Sequence, residues 1–117
     1  MAAHSVGDMI LATASKRDRR IVFERATTSE GPHGDEVATW KRLEERWAQV
    51  LFGAGAERRQ AAQTGASQAA TFRVLSDSMT RDVRVTDRIQ FDGAAWNIVG
   101  IAPLDRASID FSAVRAA

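Results

Sequence analysis

The sequence predicts a small, mainly β domain of five or six short strands, and three observations carry that expectation. The first is the stretch Asp87 to Ile101, where Ile89 and Phe91 alternate with polar residues, Asp92-Gly93 interrupts, and Trp96, Ile98 and Val99 follow. Asp and Gly tolerate the positive φ values of a tight primed turn, so this reads as a β-hairpin with one apolar face. The second is Arg20 to Ala26, short and rich in branched and aromatic residues, with Ile21 and Phe23 on one face. The third is the recurrence of period-two alternation at Phe72 and Val74, and again at Ile109 and Phe111. Strands this short and this closely spaced suit a small barrel or sandwich.

Taken in chain order, Met1 to Ser15 reads as a loosely held extension. It has no basic start before Met9-Ile10-Leu11-Ala12 and so does not resemble a secretory signal. Arg20–Ala26 is the first strand, and Thr27–Asp35, with Ser29, Gly31, Pro32 and Gly34, is a turn or loop. From Glu36 to Phe52, Val37, Trp40, Leu43, Trp47, Val50 and Leu51 recur at near-helical spacing, and the period alone favours an amphipathic helix. Trp47 to Phe52 equally suits a strand by composition. Gly53 to Ala70 holds small residues and glutamines with no large apolar side chain, which makes it a solvated loop, with helix formers from Ala56 to Gln63 suited to a helical turn. Long inserts of this kind are often functional. Thr71–Leu75 is a strand, Val83–Val85 a short extended piece, Pro103 the end of the second hairpin strand, and Ala107–Val114 the last strand.

At 117 residues the chain makes one domain, and 16 basic against 15 acidic side chains nearly cancel. Strong non-specific affinity for nucleic acid or an anionic membrane needs a clear basic excess, which is missing in both halves of the chain. No cysteine is present, which removes disulfides, thiolate metal sites and cysteine nucleophiles and suits a reducing cytoplasm. No apolar run is long enough to span a bilayer.

The chemical constellations are weak. His4 and His33 have no partners at zinc-ligand spacing. No serine sits in a Gly-x-Ser-x-Gly elbow, and Gly53-Ala54-Gly55 lacks the Gly-Lys-Ser/Thr continuation of a phosphate loop. Asp35-Glu36, Glu44-Glu45 and Asp77 lie in charge-mixed stretches where solvated carboxylates are the ordinary outcome. Lys16-Arg17-Asp18-Arg19-Arg20 could touch phosphates, but Asp18 interrupts it; Trp40, Trp47 and Trp96 could stack bases, but they share the periodicity of aliphatic neighbours and read as core. We expect no catalytic residue, no cofactor and no metal.

One ordered set of features does carry a resemblance. A basic lead-in and strand (Arg19 to Arg25) precedes a glycine-containing loop, then Val37-Ala38-Thr39-Trp40 and Arg46-Trp47-Ala48-Gln49-Val50. Gly55-Ala56-Glu57 and Phe72-Arg73-Val74 follow, then the Asp87–Ile98 hairpin and a closing strand. From about Arg17 to Arg115 the chain resembles the head–tail joining proteins (head-closure, stopper or head–tail adaptor proteins) of tailed bacteriophages and gene transfer agents. The extension before residue 17 is longer than the family's usual lead-in.

The resemblance implies a small antiparallel β-barrel over residues 17–117 with a long central loop, and it turns Trp40–Phe52 from helix to strand. The expected core is Ile21, Phe23, Trp47, Val50, Phe72, Val74, Ile89, Phe91, Trp96, Ile98, Ile109 and Phe111, with Trp47, Val50 and Phe52 brought inward by a bulge. It further implies a homo-oligomeric ring in the virion neck, assembled in the bacterial cytoplasm. Its neighbours would be the portal or adaptor protein on the head side and the tail terminator or tail tube protein on the other. Double-stranded DNA would pass through the lumen without specific binding. A near-neutral subunit suits such a conduit. Glu57, Arg58, Arg59, Gln63 and Gln68 are the expected contacts of the central loop with the lumen or a neighbouring ring. Mixed charges such as Lys41 to Arg46 and Arg81 to Arg84 could pair across subunits. Another neck or tail position, or a small-barrel nucleic-acid-binding module, is the alternative.

Overall fold

The structure, a computed structural model, describes residues 17–53, 55–66 and 68–116; the N-terminal extension of residues 1–16, with His4, lies outside them. Six antiparallel strands close into a barrel in the order β1-β2-β3-β6-β5-β4. They are β1 (Arg19–Glu30), β2 (Glu36–Phe52), β3 (Ala69–Leu75), β4 (Arg88–Phe91), β5 (Ala94–Pro103) and β6 (Ser108–Arg115). A helix, α1 (Gly55–Thr64), joins β2 to β3, and a 3₁₀ turn at Thr80–Asp82 precedes β4. Val22–Glu24 of β1 meet Arg88–Gln90 of β4 to close the ring.

Local chemistry sets the β4–β5 hairpin. Asp92 and Gly93 have φ of 55° and 72°, the two positive values that a type I′ turn demands and that Gly supplies without strain. The Trp96 indole N–H donates to the Phe91 carbonyl at 3.1 Å, which lets a polar atom enter the core at no hydrogen-bonding cost. Alternation does the rest. Ile21, Phe23, Phe72, Val74, Ile89, Phe91, Trp96, Ile98, Ile109 and Phe111 are all buried, with Val50 and Leu43 packed against them. Phe72 stands edge-on to both Phe91 (5.4 Å between centroids) and Trp96 (5.5 Å).

Trp47 is not core: it is 50% exposed, and the Arg20 guanidinium lies 4.7 Å from its ring centroid. The reason is where the bulge falls. Trp47 and Val50 are three residues apart, so both point inward only if an extra residue lies between them. The register slips instead at Leu43, opposite Phe23 and Glu24. Ala48 and Val50 therefore face inward, and Trp47 faces out.

Three other expectations change. Within Gly53–Ala70 the helical turn expected at Ala56–Gln63 is present as the ten-residue α1, but Ala69 and Ala70 leave the expected loop and belong to β3. The expected loop at Thr27–Asp35 shrinks to its last five residues, because Thr27–Glu30 continue β1. The expected extended piece Val83–Val85 is extended at Val83, with φ of −66° and ψ of 138°, but turns at Val85. The Asp87 carboxylate accepts the Arg84 backbone N–H at 2.8 Å and folds this piece into a turn, burying Val83 while Val85 stays exposed.

Asp77 fastens the turn after β3. Its carboxylate accepts the Thr80 N–H (2.8 Å) and the Arg46 Nε–H (3.0 Å), while its own N–H donates to the Thr80 hydroxyl (2.8 Å). Burial pushes this carboxyl up, but the Thr80 and Arg46 bonds outweigh it and hold it below its ordinary 3.8. A lowered folded-state value gives stability that is present above the ordinary value and lost as the pH falls through the folded one. The urea midpoint should therefore drop as the pH is taken below about 4, and Asp77→Asn should flatten that part of the curve.

Candidate assembly surface

Two features sit at opposite ends of the barrel. At the end formed by the start of β1 and the end of β2, α1 packs on the outside of the wall. Ala61 is buried against Ala69 and Val114, with Val99 beside them. Glu57 turns toward the sheet, where its carboxylate accepts the Thr71 hydroxyl and lies 3.5 Å from the Ser112 hydroxyl. Glu57 thus anchors the helix rather than presenting a contact. Arg58, Arg59 and Gln63 are exposed on the outer side of α1, and Gln68 is exposed just before β3. Gly53 makes the turn into this segment with φ of 67°; a Cβ there would come 3.0 Å from the Arg58 Nε. The barrel mouth at this end is closed by Phe52, whose ring lies 6.4–6.5 Å from Trp96 and Phe91, and by the Arg19 guanidinium 5.0 Å over Phe91. Arg115, paired with Trp96 in the register, ends β6 at the same mouth.

At the other end β1 and β2 outrun the barrel. β4 pairs with β1 only as far as Glu24, and β3 pairs with β2 only from Ala48 onward, yet β1 and β2 stay paired to Glu30↔Glu36. The six residues of β1 beyond Glu24 project a two-stranded arm about 20 Å long at 3.3–3.4 Å per residue. Residues 26–30 and 36–39 are exposed on both of its faces. The arm is fixed at its root on each side. The Arg25 guanidinium forks onto Asp87 with two bonds of 3.0 Å and reaches the Asp82 carbonyl, also at 3.0 Å. On the opposite face Arg88 donates to Glu24 at 2.7 Å while lying 4.0 Å from the Trp40 ring centroid, and Gln90 donates to the same Glu24 oxygen at 3.1 Å.

Most of the mixed charges expected to pair across subunits pair within the chain. Arg46 holds Asp77, Arg20 holds Glu45, Arg25 reaches Asp82, and Arg73 forks onto Asp110 on the outer face of β3 and β6. Among the described residues no group of three His, Cys, Asp or Glu side chains could hold a metal ion, and no helix is long and apolar enough to cross a membrane.

The profile of the phage head completion proteins matches residues 13–113. The chain belongs to this family. No curated protein matches its sequence significantly. Among solved structures, protein SF1141 from Shigella flexneri 2a aligns over 85% of this chain and 92% of its own, with a TM-score of 0.61 and 19% identity. A chain from the virion of a native gene transfer agent particle aligns over 85% of this chain and 94% of its own, with a TM-score of 0.60 and 23% identity. At these identities the likeness is one of fold.

In this family member the sequence locates α1 but hides the arm. A signal for the arm was present: Thr27-Thr28-Ser29 and Val37-Ala38-Thr39 are matched runs of small and β-branched residues flanking Gly31-Pro32-His33-Gly34. The turn residues masked it, because their punctuation was read as extending over the strands beside them.

Proposed function

We propose that the chain is a structural neck component of a phage or gene transfer agent particle. Copies form a ring between the portal or its adaptor and the tail terminator or tail tube protein. The ring closes the head after DNA packaging and gives the tail its docking surface. Double-stranded DNA passes through its lumen without sequence-specific contacts, and assembly takes place in the bacterial cytoplasm. What carries this reading is one feature of a family member's shape: a closed barrel with a rooted arm at one end and a helix with free arginines at the other. A subunit that uses different patches on its two sides makes the heterologous contacts from which closed rings are built. A chain with balanced charge also does not grip a passing genome through many phosphate contacts.

The test is replacement of residues 54–68 by an Asn-Gly turn. The Gly53 N–H already bonds to the Ala69 carbonyl at 3.1 Å, so the ends of β2 and β3 are close enough to join. The expected result is a barrel with an unchanged strand signature in circular dichroism, and particles that lose their tails or their DNA. Particles that stay infectious or transducing would refute the assignment. Electron cryomicroscopy of particles carrying a tagged chain separates this position from that of an adaptor or a terminator. The nucleic-acid-binding alternative predicts salt-dependent binding of the isolated protein to duplex DNA.

A further inference from the structure

The arm is a structural oddity that the barrel does not explain. A two-stranded ribbon exposed on both faces is marginal in water, and unpaired strand edges invite a partner. Its root is nonetheless clamped by Arg25 and Arg88, so its direction is held. From Ala26 to Trp40 it carries Glu30, Asp35 and Glu36 and no Lys or Arg. None of the three acids has an ion-pair partner among the described residues, although most charges on the barrel wall do. The opposite end is net basic: Arg19, Arg58, Arg59 and Arg115 gather around the mouth and α1, again without ion-pair partners among the described residues, and outnumber the exposed Asp18 and Asp92 beside them.

We infer that the arm is a coupling device between copies: the acidic tip of one chain seats on the arginine-bearing end of the next, against α1. The contact rests on the ring reading above and specifies its interface. A second copy is the occupant the charges favour, because the two unpaired sets are opposite in sign, belong to the same chain and lie at opposite ends of it. That disposition gives a heterologous, self-propagating contact, whereas like-on-like pairing of two tips would set three carboxylates against three.

The chain has no cysteine, so an introduced pair reports cleanly. Chains carrying both Asp35→Cys and Arg59→Cys, incorporated into particles and oxidised, should run on a non-reducing gel as a ladder of dimers and higher multimers that collapses with reductant. Neither single substitution should give more than background. A second readout is charge exchange. Glu30→Lys with Glu36→Lys should cut incorporation into particles at least tenfold, and adding Arg58→Glu with Arg59→Glu to the same chain should restore it, because each arm then meets the complementary helix on its neighbour. Doubly substituted chains present in particles but only as monomers would overturn the inference. So would a dimer from Asp35→Cys alone, which would mean tip-to-tip contact, or a charge-reversed arm that the helix changes do not rescue, which would mean a different protein sits on it. Absence of the wild-type chain from purified particles would instead bring down the ring reading, and this interface with it.

Discussion

Asp87→Ala is expected to lower the stability of the barrel by about 2–3 kcal/mol, seen as a lower denaturant midpoint at unchanged m-value. Asp87 is 2% exposed, and three donors converge on it: the Nε and one Nη of Arg25, and the Arg84 backbone N–H. The hydrogen bond to Asp87 is the main reason the Arg25 guanidinium is held above its ordinary value. Truncation leaves that guanidinium with Asp82 alone and strands the Arg84 N–H. Breaking a fully buried pair costs about 3–5 kcal/mol, and the Arg25 side chain keeps a quarter of its surface in water, which brings the expectation just below that range. Asp87→Asn keeps the shape and one acceptor and should lose less. A loss under 0.5 kcal/mol for the alanine variant would show that the fork is ornamental.

Phe72→Ala should be more damaging, at about 3–5 kcal/mol. Phe72 is wholly buried, and its ring is edge-on to both Phe91 and Trp96, so truncation removes the shared neighbour of the hairpin's two aromatic residues. Domains of this size have about 5–15 kcal/mol in total, so the variant should be partly unfolded at 37 °C. Phe72→Leu should retain most of the stability. The check is thermal unfolding followed by near- and far-ultraviolet circular dichroism, where the aromatic signal should fade in the alanine variant at lower temperature than in the wild type.

The barrel was legible where one periodicity spoke alone. Ile89, Phe91, Trp96 and Ile98 alternate about a turn whose dipeptide admits few conformations, and the structure has that hairpin. It was ambiguous where two periods overlapped. In β2 the register slip at Leu43 shifts the inward parity halfway along, so apolar residues on two different faces mimic the spacing of a helix. A slip of one residue leaves no mark in composition, and the burial of Trp47 was misread for that reason. Arg58, Arg59 and Gln63 could be picked out because long charged or amide side chains stand out in a small-residue stretch. The inward turn of Glu57 could not, since it depends on Thr71 and Ser112 from two other strands. Nor could the difference between the two ends of the molecule be read from a near-zero net charge, because that difference exists only after folding sorts the charges in space.

The double clamp at the root of the ribbon has a mechanical corollary. With Arg25 tied to the turn before β4 and Trp40 wedged under Arg88, the projection has no hinge where it leaves the wall. Whatever pushes on its far end works a lever whose load falls on β4, the shortest stave of the closure and the one that meets β1 through only three residue pairs.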